Sequence, residues 1–536
     1  MKNTFIMTID FGTQSVRTAI VNAIGEIIAI EKESYEEIYF SKKPGYAEQY
    51  PNVYFDTMAK ASRRLFEKYP EYKDKLVGVS LTCFRDSHVM CDENMQPVRP
   101  AIFWLDQRLA KGKEKTPLYS RILFGLVGMT NTLLLNKKRT PAHWVKENEP
   151  EIWSKVKKYM TVSTYITYKL TGEYKDSVAN YAGHFPTDFK HKRFYKSDRH
   201  FQGIIFGIKL KTLPKLTPIG GVIGEISKEC SEFTSIPQGL KLFSVGSDKS
   251  CETLGLGCLT NDVAALSCGT ASSIEVQTRK FHNPEPFLPA YPSVLKGHYN
   301  MDVQVYRGYW MLSWFSNQFA QKELLESKEK NIAVEQILNE KLDDIPAGCN
   351  GLILQPYWGP GLSRPLSRGA IIGFSDTITK MHLYRAIIEG IDYELKRGLE
   401  SIEKSQHKKV KSIMISGGGS QSDQICQIAS DIFDLPVSRV QTFETSTLGA
   451  AIAGFLAAGV FENEVVAIEH MVKRTRTFFP NSKNREVYDF MYKKGYKKMY
   501  PALKNIYKDI KGFESRKSAF QRIKAALRKN KNLYSK

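Results

Sequence analysis

The feature that most constrains this chain is a duplication: a short hydrophobic strand, a Gly-Thr turn and a second strand occur at the N-terminus and again midway along. The first copy is Thr4-Phe-Ile-Met-Thr-Ile-Asp10, then Gly12-Thr13, then Ser15 to Val21. Asn22-Ala-Ile-Gly25 reads as a hairpin turn into a third strand, Glu26 to Ile30. The second copy is Ala264-Ala-Leu-Ser-Cys-Gly-Thr270, left by a strand from Ala271 to Val276. Three strands joined by tight turns make an antiparallel meander. The helical stretch from about Tyr54 to Tyr69 and the buried-strand candidate Leu76 to Thr82 then predict an α/β layer with a mixed sheet. Downstream of the second copy, Ile387, Ile391, Leu395, Leu399 and Ile402 form one apolar helix stripe within Leu383 to Ile402. A strand (Lys411 to Ser416), a glycine turn (Gly417-Gly-Gly419) and a helix (Asp423 to Phe433) follow. Two similar α/β halves packed face to face leave a cleft, the usual place for a ligand.

Composition agrees. The 536 residues allow two or three domains, and 42% hydrophobic residues suffice for packed cores. No run approaches the ~18 apolar residues of a membrane span, and Gly449 to Phe461 reads as a buried core helix. Lys2, Asn3 and Thr4 interrupt the few residues before Ile9-Asp10, which leaves no room for a secretory signal, so a cytosolic chain is expected. Eight scattered cysteines without C-x-x-C or zinc-finger spacing read as buried thiols. The net charge is +21. Part of it sits in Arg516, Lys517, Arg522, Lys524, Arg528, Lys529, Lys531 and Lys536, and no stretch interleaves aromatic with basic residues. The charge therefore reads as a solvated surface, with neither nucleic acid nor membrane as partner. Ile345 to Gly373, rich in Gly and Pro around Tyr357 and Trp358, reads as an ordered loop. The Lys/Tyr-rich stretch from about Pro480 reads as a helical appendage, and removing residues after about 505 is expected to leave activity intact.

Chemistry concentrates at the turns. A glycine turn between strands exposes consecutive backbone N–H groups, which with a flanking hydroxyl make a nest for phosphate oxygens. One nest per half could hold two ends of a polyphosphate. Asp10, just before the first turn, could hold Mg²⁺ through water or merely cap the turn; Arg17 could neutralise phosphate charge. Gly417-Gly-Gly419 lets a flat ring or phosphate approach the backbone, or serves tight packing, and neither G-x-G-x-x-G nor a P-loop is present. Leu242-Phe-Ser-Val-Gly-Ser-Asp248 runs out as a strand and leaves Asp248 before a helix, Cys251 to Gly255, where α/β folds place chemistry and where an N-cap also sits.

The ordered set Asp10-Phe-Gly-Thr-Gln-Ser-Val-Arg17, Gly246-Ser-Asp248 with Leu254-Gly255, Ser267-Cys-Gly-Thr270 and Ser416-Gly-Gly-Gly419 resembles the FGGY carbohydrate kinases. Supporting pieces are Phe103-Trp-Leu-Asp-Gln-Arg108, Glu147-Asn-Glu-Pro-Glu-Ile-Trp153, Tyr168-Lys-Leu-Thr-Gly172, Arg368-Gly369 and Arg385-Ala-Ile-Ile-Glu-Gly390. The resemblance implies two actin/ribonuclease-H-like ATPase domains, residues 1–257 and 258–480, followed by a basic extension at 481–536. It also implies transfer of the ATP γ-phosphate to a sugar or polyol hydroxyl, with ATP and Mg²⁺ as cofactors and a homodimer left open. Carried over, Asp248 matches the catalytic base and Asp10 the magnesium-associated aspartate. Gly12, Thr13, Gln14, Ser15 and Arg17 match the first phosphate loop, Gly269 and Thr270 the second. Gly417, Gly418, Gly419 and Ser422 match the adenosine turn. Arg85, Asp86, Trp104 and Asp106 match the sugar-orienting set, Arg85-Asp86 being like the Arg-Glu pair of glycerol kinases. Asn136 and Ser273 fall where a glycerol site carries Tyr and Phe, which leaves room for a longer substrate. A pentulose such as xylulose is the expected acceptor, glycerol the second. An actin- or chaperone-type nucleotide-gated binding protein is the alternative of another class.

Overall fold

The structure, a computed structural model, describes residues 2–112, 117–126, 130–285, 288–358, 364 and 366–513. Phe5–Phe11 (β1), Ser15–Asn22 (β2) and Ile27–Ser34 (β3) form the expected meander, turning at Gly25. Every residue of β1 is buried, as a central strand covered on both faces requires. The edge strand β3 carries Glu31-Lys-Glu33 at its outer end, which keeps the sheet edge wet. Helix α1 (Pro51–Lys68) begins earlier than its apolar pattern because Pro51 suits the first helical turn. It buries Tyr54, Phe55, Met58 and Leu65. Leu76–Cys83 (β4) lies parallel to β1, and Val222–Glu225 (β5) and Lys241–Phe243 (β6) complete the order β5-β6-β4-β1-β2-β3. Asp248–Gly255 (α2) follows β6; the helix starts at the acid itself, with Ser247 as its cap residue.

The second half repeats the plan. Val263–Cys268 (β7), Ser272–Thr278 (β8), Tyr291–Pro292 (β9) and Tyr299–Val305 (β10) precede the long helix Lys380–Gln406 (α3). Then come Ser412–Ser416 (β11), Asp423–Phe433 (α4), Val437–Val440 (β12), Thr445–Ala457 (α5), Arg474–Phe478 (β13) and Ser482–Phe490 (α6). The sheet order is β9-β10-β8-β7-β11-β12-β13. In each sheet an antiparallel meander is extended by two strands parallel to its first strand, β4 and β6 in one, β11 and β12 in the other. An antiparallel edge strand closes each on that side, β5 in one and β13 in the other. The duplication read from the turns is thus a duplication of sheet topology. The α3 stripe from Ile387 to Ile402 is buried against β8 and β10. Each such aliphatic side chain contributes roughly 1.5–3 kcal/mol of burial.

The halves meet where α2 crosses α5. A Cβ on Gly449 would lie 1.7 Å from the Cys251 carbonyl oxygen, and one on Gly255 1.9 Å from that of Thr445. Only glycine lets two helix backbones approach this closely. The rest of α5 is the buried helix expected near Gly449.

Residues 482–513 correct the expected appendage. Tyr488, Tyr492 and Tyr496, one helical turn apart, are buried in the core under α3. The Tyr488 hydroxyl lies 2.9 Å from Glu389 Oε1 and accepts from Arg385 Nη2 at 2.6 Å; the Tyr496 hydroxyl donates to Glu394 Oε2 at 2.8 Å. Tyr507 is buried and accepts from Gln355, so a cut at 505 would remove a core contact. Arg516 to Lys536, and Gly359, Pro360, Gly361 and Pro365 of the Gly/Pro-rich loop, lie outside the described residues. In that loop Ile353–Gln355 pairs with Ala370–Ile372, and the Tyr357 hydroxyl donates to Glu394. All eight cysteines are buried. No helix among the described residues is long and apolar enough to cross a membrane.

Candidate active site

A cleft of about 1870 Å³ runs between the halves and is lined by both Gly-Thr loops. Gly12, Thr13, Gln14, Ser15 and Arg17 line it from the β1–β2 turn, Gly269 and Thr270 from the β7–β8 turn. The first turn is closed by the Gly12 N–H donating to the Ser15 carbonyl at 3.0 Å; the second is braced by the Tyr309 N–H on the Gly269 carbonyl, also 3.0 Å. Two strand-end loops, one per half, therefore open onto a single space.

Asp10, the penultimate residue of β1, is buried and lies in register with Arg17. Its Oδ2 accepts one long hydrogen bond, from Thr447 Oγ1 at 3.4 Å. Burial pushes its carboxyl up to about 7; Arg17 opposes the shift, while Asp248 and Glu444 add to it. A buried, underpartnered carboxylate beside a second acid is a donor set short of positive charge, which fits a hard divalent cation that keeps water in its shell.

Asp248, half-buried at the first turn of α2, lines the same cleft. Desolvation raises its pKa, partly offset by Lys249 and Arg85. Lys249 was not singled out by the sequence, although a lysine directly after the candidate base was a usable signal. Its Nζ lies 2.8 Å from Glu252 Oε2 and 2.6 Å from Ser267 Oγ. Glu252 in turn accepts from Ser416 Oγ. Ser267 and Ser416 stand side by side on β7 and β11, just before the second Gly-Thr loop and the glycine turn. One ion pair thus ties Asp248 to both loops of the other half.

In the glycine turn the three residues do different things. Gly417 has φ +83 and would press a Cβ to 2.7 Å from the Cys268 backbone, so it serves the turn and is not among the cleft-lining residues. Gly418 and Gly419 do line the cleft, and an added Cβ on Gly418 would meet no atom within 4 Å. Ser422 lines it too, while its Oγ caps α4 by accepting from the Ile425 N–H at 3.3 Å.

At the other end of the cleft, Asp86 Oδ2 is 2.7 Å from His184 Nδ1 and its Oδ1 is 3.1 Å from His88 Nε2. Burial alone would raise the Asp86 carboxyl, but the two imidazoles outweigh it and hold it well below the usual range. Arg85 reaches across the cleft to Asp302 of β10, Nη2 to Oδ2 at 2.8 Å. Trp104 lines the cleft, and its indole N–H has no partner among the described residues. Asp106 is a correction. Its carboxylate accepts the Ala47 N–H at 2.6 Å and pairs with Arg108 at 2.7 Å, inside a buried cluster with Glu48, and it does not line the cleft. Of the two positions expected to widen the acceptor end, Asn136 lines the cleft, whereas Ser273 is buried in β8 and donates to Glu275. Glu444, Thr447 and Asp302 carried no sequence signal, since each acquires its partner from the opposite half, and His184 carried none because Asp86 lies far from it in the chain.

Two lobes of repeated topology, closing glycine loops on a shared cleft with a desolvated acid at its wall, have the architecture of a group-transfer enzyme. Comparison with known proteins places it further: models of the FGGY family of carbohydrate kinases match residues 5–255 (N-terminal domain) and 264–458 (C-terminal domain), and the chain belongs to that family. It is 28% identical over 496 residues to a xylulose kinase of Lactococcus lactis subsp. lactis (strain IL1403), covering 91% of this chain and 95% of the relative. Its fold matches a ligand-bound xylulose kinase from Lactobacillus acidophilus, with a TM-score of 0.77 and 22% identity, covering 95% of this chain and 100% of that one. It matches a gluconate kinase from the same species equally well, at 0.77 and 23%, covering 95% and 99%. The chain is an ATP-dependent carbohydrate kinase.

Proposed function

We propose that the acceptor is a pentulose such as xylulose, and that Asp248 is the base that takes the proton of the reacting hydroxyl. The observation that supports this most is that Asp248 and both Gly-Thr loops line one cleft. ATP lies with its adenosine over Gly418, Gly419 and Ser422 and its phosphates between the loops at Gly12–Ser15 and Gly269–Thr270. Phosphoryl transfer asks a protein mainly for positioning and charge neutralisation. Arg17 faces the phosphates, and Lys249 keeps the second loop in register with the base. The acceptor oxygen attacks the γ-phosphorus and its proton passes to Asp248, while the bond from the γ-phosphorus to the oxygen it shares with the β-phosphate breaks and ADP leaves with that electron pair. A desolvated carboxylate is a stronger base than one in water, which suits this step. Asp10 would hold Mg²⁺ through water; when bound, the ion would offset charge building on the β- and γ-phosphates.

Arg85, Asp86 and Trp104 orient the sugar. Glycerol or another polyol is the second reading, carried by Arg85-Asp86. A panel of pentuloses, pentitols, glycerol and hexoses in a coupled ADP assay tests the proposal. Xylulose or a close pentulose should give the highest kcat/KM; a glycerol preference would overturn the pentulose assignment.

A further inference from the structure

The two solved relatives above match this fold equally well, yet their named acceptors differ by one charge: xylulose is neutral, gluconate carries a carboxylate. Fold similarity cannot separate them, but the charges at the acceptor end of the cleft can. An arginine with both edges free is a natural carboxylate receptor, because its planar fork matches two carboxylate oxygens. Arg85 is not in that condition. Asp302, on β10 of the opposite half, occupies one edge of its guanidinium at 2.8 Å, and the Tyr291 ring lies against it at 5.1 Å. Asp302 is 2% exposed at its side chain, and its Oδ2 also accepts from Gln304, which helps to hold it against Arg85. Its other oxygen, Oδ1, is buried without a donor. Glu275 sits opposite Asp302 in the β8–β10 register, and Asp86 presents a further carboxylate at the cleft wall, held by His88 and His184.

Resting on the kinase reading of this cleft, we propose that Asp302 neutralises Arg85 and makes the acceptor end a site for uncharged polyhydroxy compounds, excluding the carboxylate of a sugar acid. Two physical differences separate the ligands. A hydroxyl can donate as well as accept, so it can hydrogen-bond to the acids that line this end of the cleft, Asp86 and Asp302; a carboxylate only accepts and offers them no donor. A carboxylate also brings a third negative charge beside Asp302 and Asp86, with the Arg85 guanidinium already paired to Asp302. Asp302 is thus a specificity-determining residue that acts through Arg85.

The test compares xylulose, xylitol and glycerol with gluconate in the coupled ADP assay at fixed ionic strength. For the wild-type chain the best neutral acceptor should exceed gluconate in kcat/KM by about 10²-fold or more, the scale on which a site with unpaired polar groups rejects a mismatched ligand. Asp302→Asn, which frees the guanidinium, should shrink that ratio by about tenfold or more, with gluconate turnover rising as neutral turnover falls. Asp302→Ser is the second variant, and thermal melts of both establish that they are folded. Wild-type turnover of gluconate equal to that of every neutral acceptor would overturn the proposal, as would folded variants that lose activity on all acceptors by one factor. ADP release that no acceptor stimulates would instead overturn the sugar-kinase reading of the cleft, a distinct failure.

Discussion

In its proposed role Asp248 stands at the first turn of a helix, where burial raises its pKa and Lys249 and Arg85 oppose the rise. Asp248→Asn should lower kcat by roughly 10²-fold or more, the range of general-base loss, with nucleotide affinity unchanged. The pH dependence has a definite sign. A carboxylate base would work ionised, and burial raises the Asp248 pKa above the ordinary 3.8, so kcat should fall with decreasing pH at a higher pH than a water-exposed carboxylate would give. That acid limb should vanish from the residual rate of the Asn variant; a limb that persists would assign the titration to another group. Gly418 offers a cleaner test of the nucleotide end, because its backbone is not in the glycine-only region and an added Cβ would meet no atom within 4 Å. Gly418→Leu should fold normally and raise the KM for ATP by about tenfold or more, equivalent to ~1.4 kcal/mol. An unchanged KM would place the adenosine elsewhere.

Among the elements, those with one-sided apolar patterns were legible in the sequence. The α3 stripe was found residue by residue, and only its ends were missed, because a Thr379/His382 capping box and a left-handed His407 extend it by local hydrogen bonding rather than by hydrophobicity. Helix α6 and the segment after it were misread for a physical reason. Their buried face is built from tyrosines, whose rings pack like any aromatic while the hydroxyls of Tyr488 and Tyr496 satisfy buried charges on α3. The Arg385–Glu389 pair, read as part of a family motif, is one of these, and Tyr488 caps it. Tyr488→Phe keeps the ring and removes the hydroxyl from two charged partners, so it should cost about 1.5–3 kcal/mol in urea unfolding, with kcat little changed. A loss below ~0.5 kcal/mol would mean that the segment rests lightly on α3.

For the molecule as a whole, the duplicated turns were enough to foresee two like halves and a cleft, because strand, turn and strand are local in sequence. The partners that complete the site were not legible. Asp302 meets Arg85, Glu444 meets Arg17 at 2.8 Å, and Thr447 meets Asp10, each pair brought together from opposite halves of the chain. Asp106 went astray for the converse reason: an acid in a motif looks available until Ala47 and Arg108 are seen to occupy it. These cross-cleft pairs also say how the molecule should move. At about 1870 Å³ the cleft exceeds the ~300–1,000 Å³ of a typical ligand pocket, so holding a nucleotide and a sugar away from water requires the lobes to approach. The α2–α5 crossing, where two glycines bring the helix backbones together, should be the joint they approach about. Small-angle scattering should show the radius of gyration shrinking when a non-hydrolysable ATP analogue and xylulose are both present, and less with either alone. Gly449→Ala forces a methyl into the Cys251 carbonyl and wedges the joint. That variant should lose roughly 1–3 kcal/mol of stability to overpacking, and at a temperature where it stays folded it should bind the nucleotide yet fail to contract, with kcat reduced. If it contracts and turns over like the wild type, closure is hinged elsewhere.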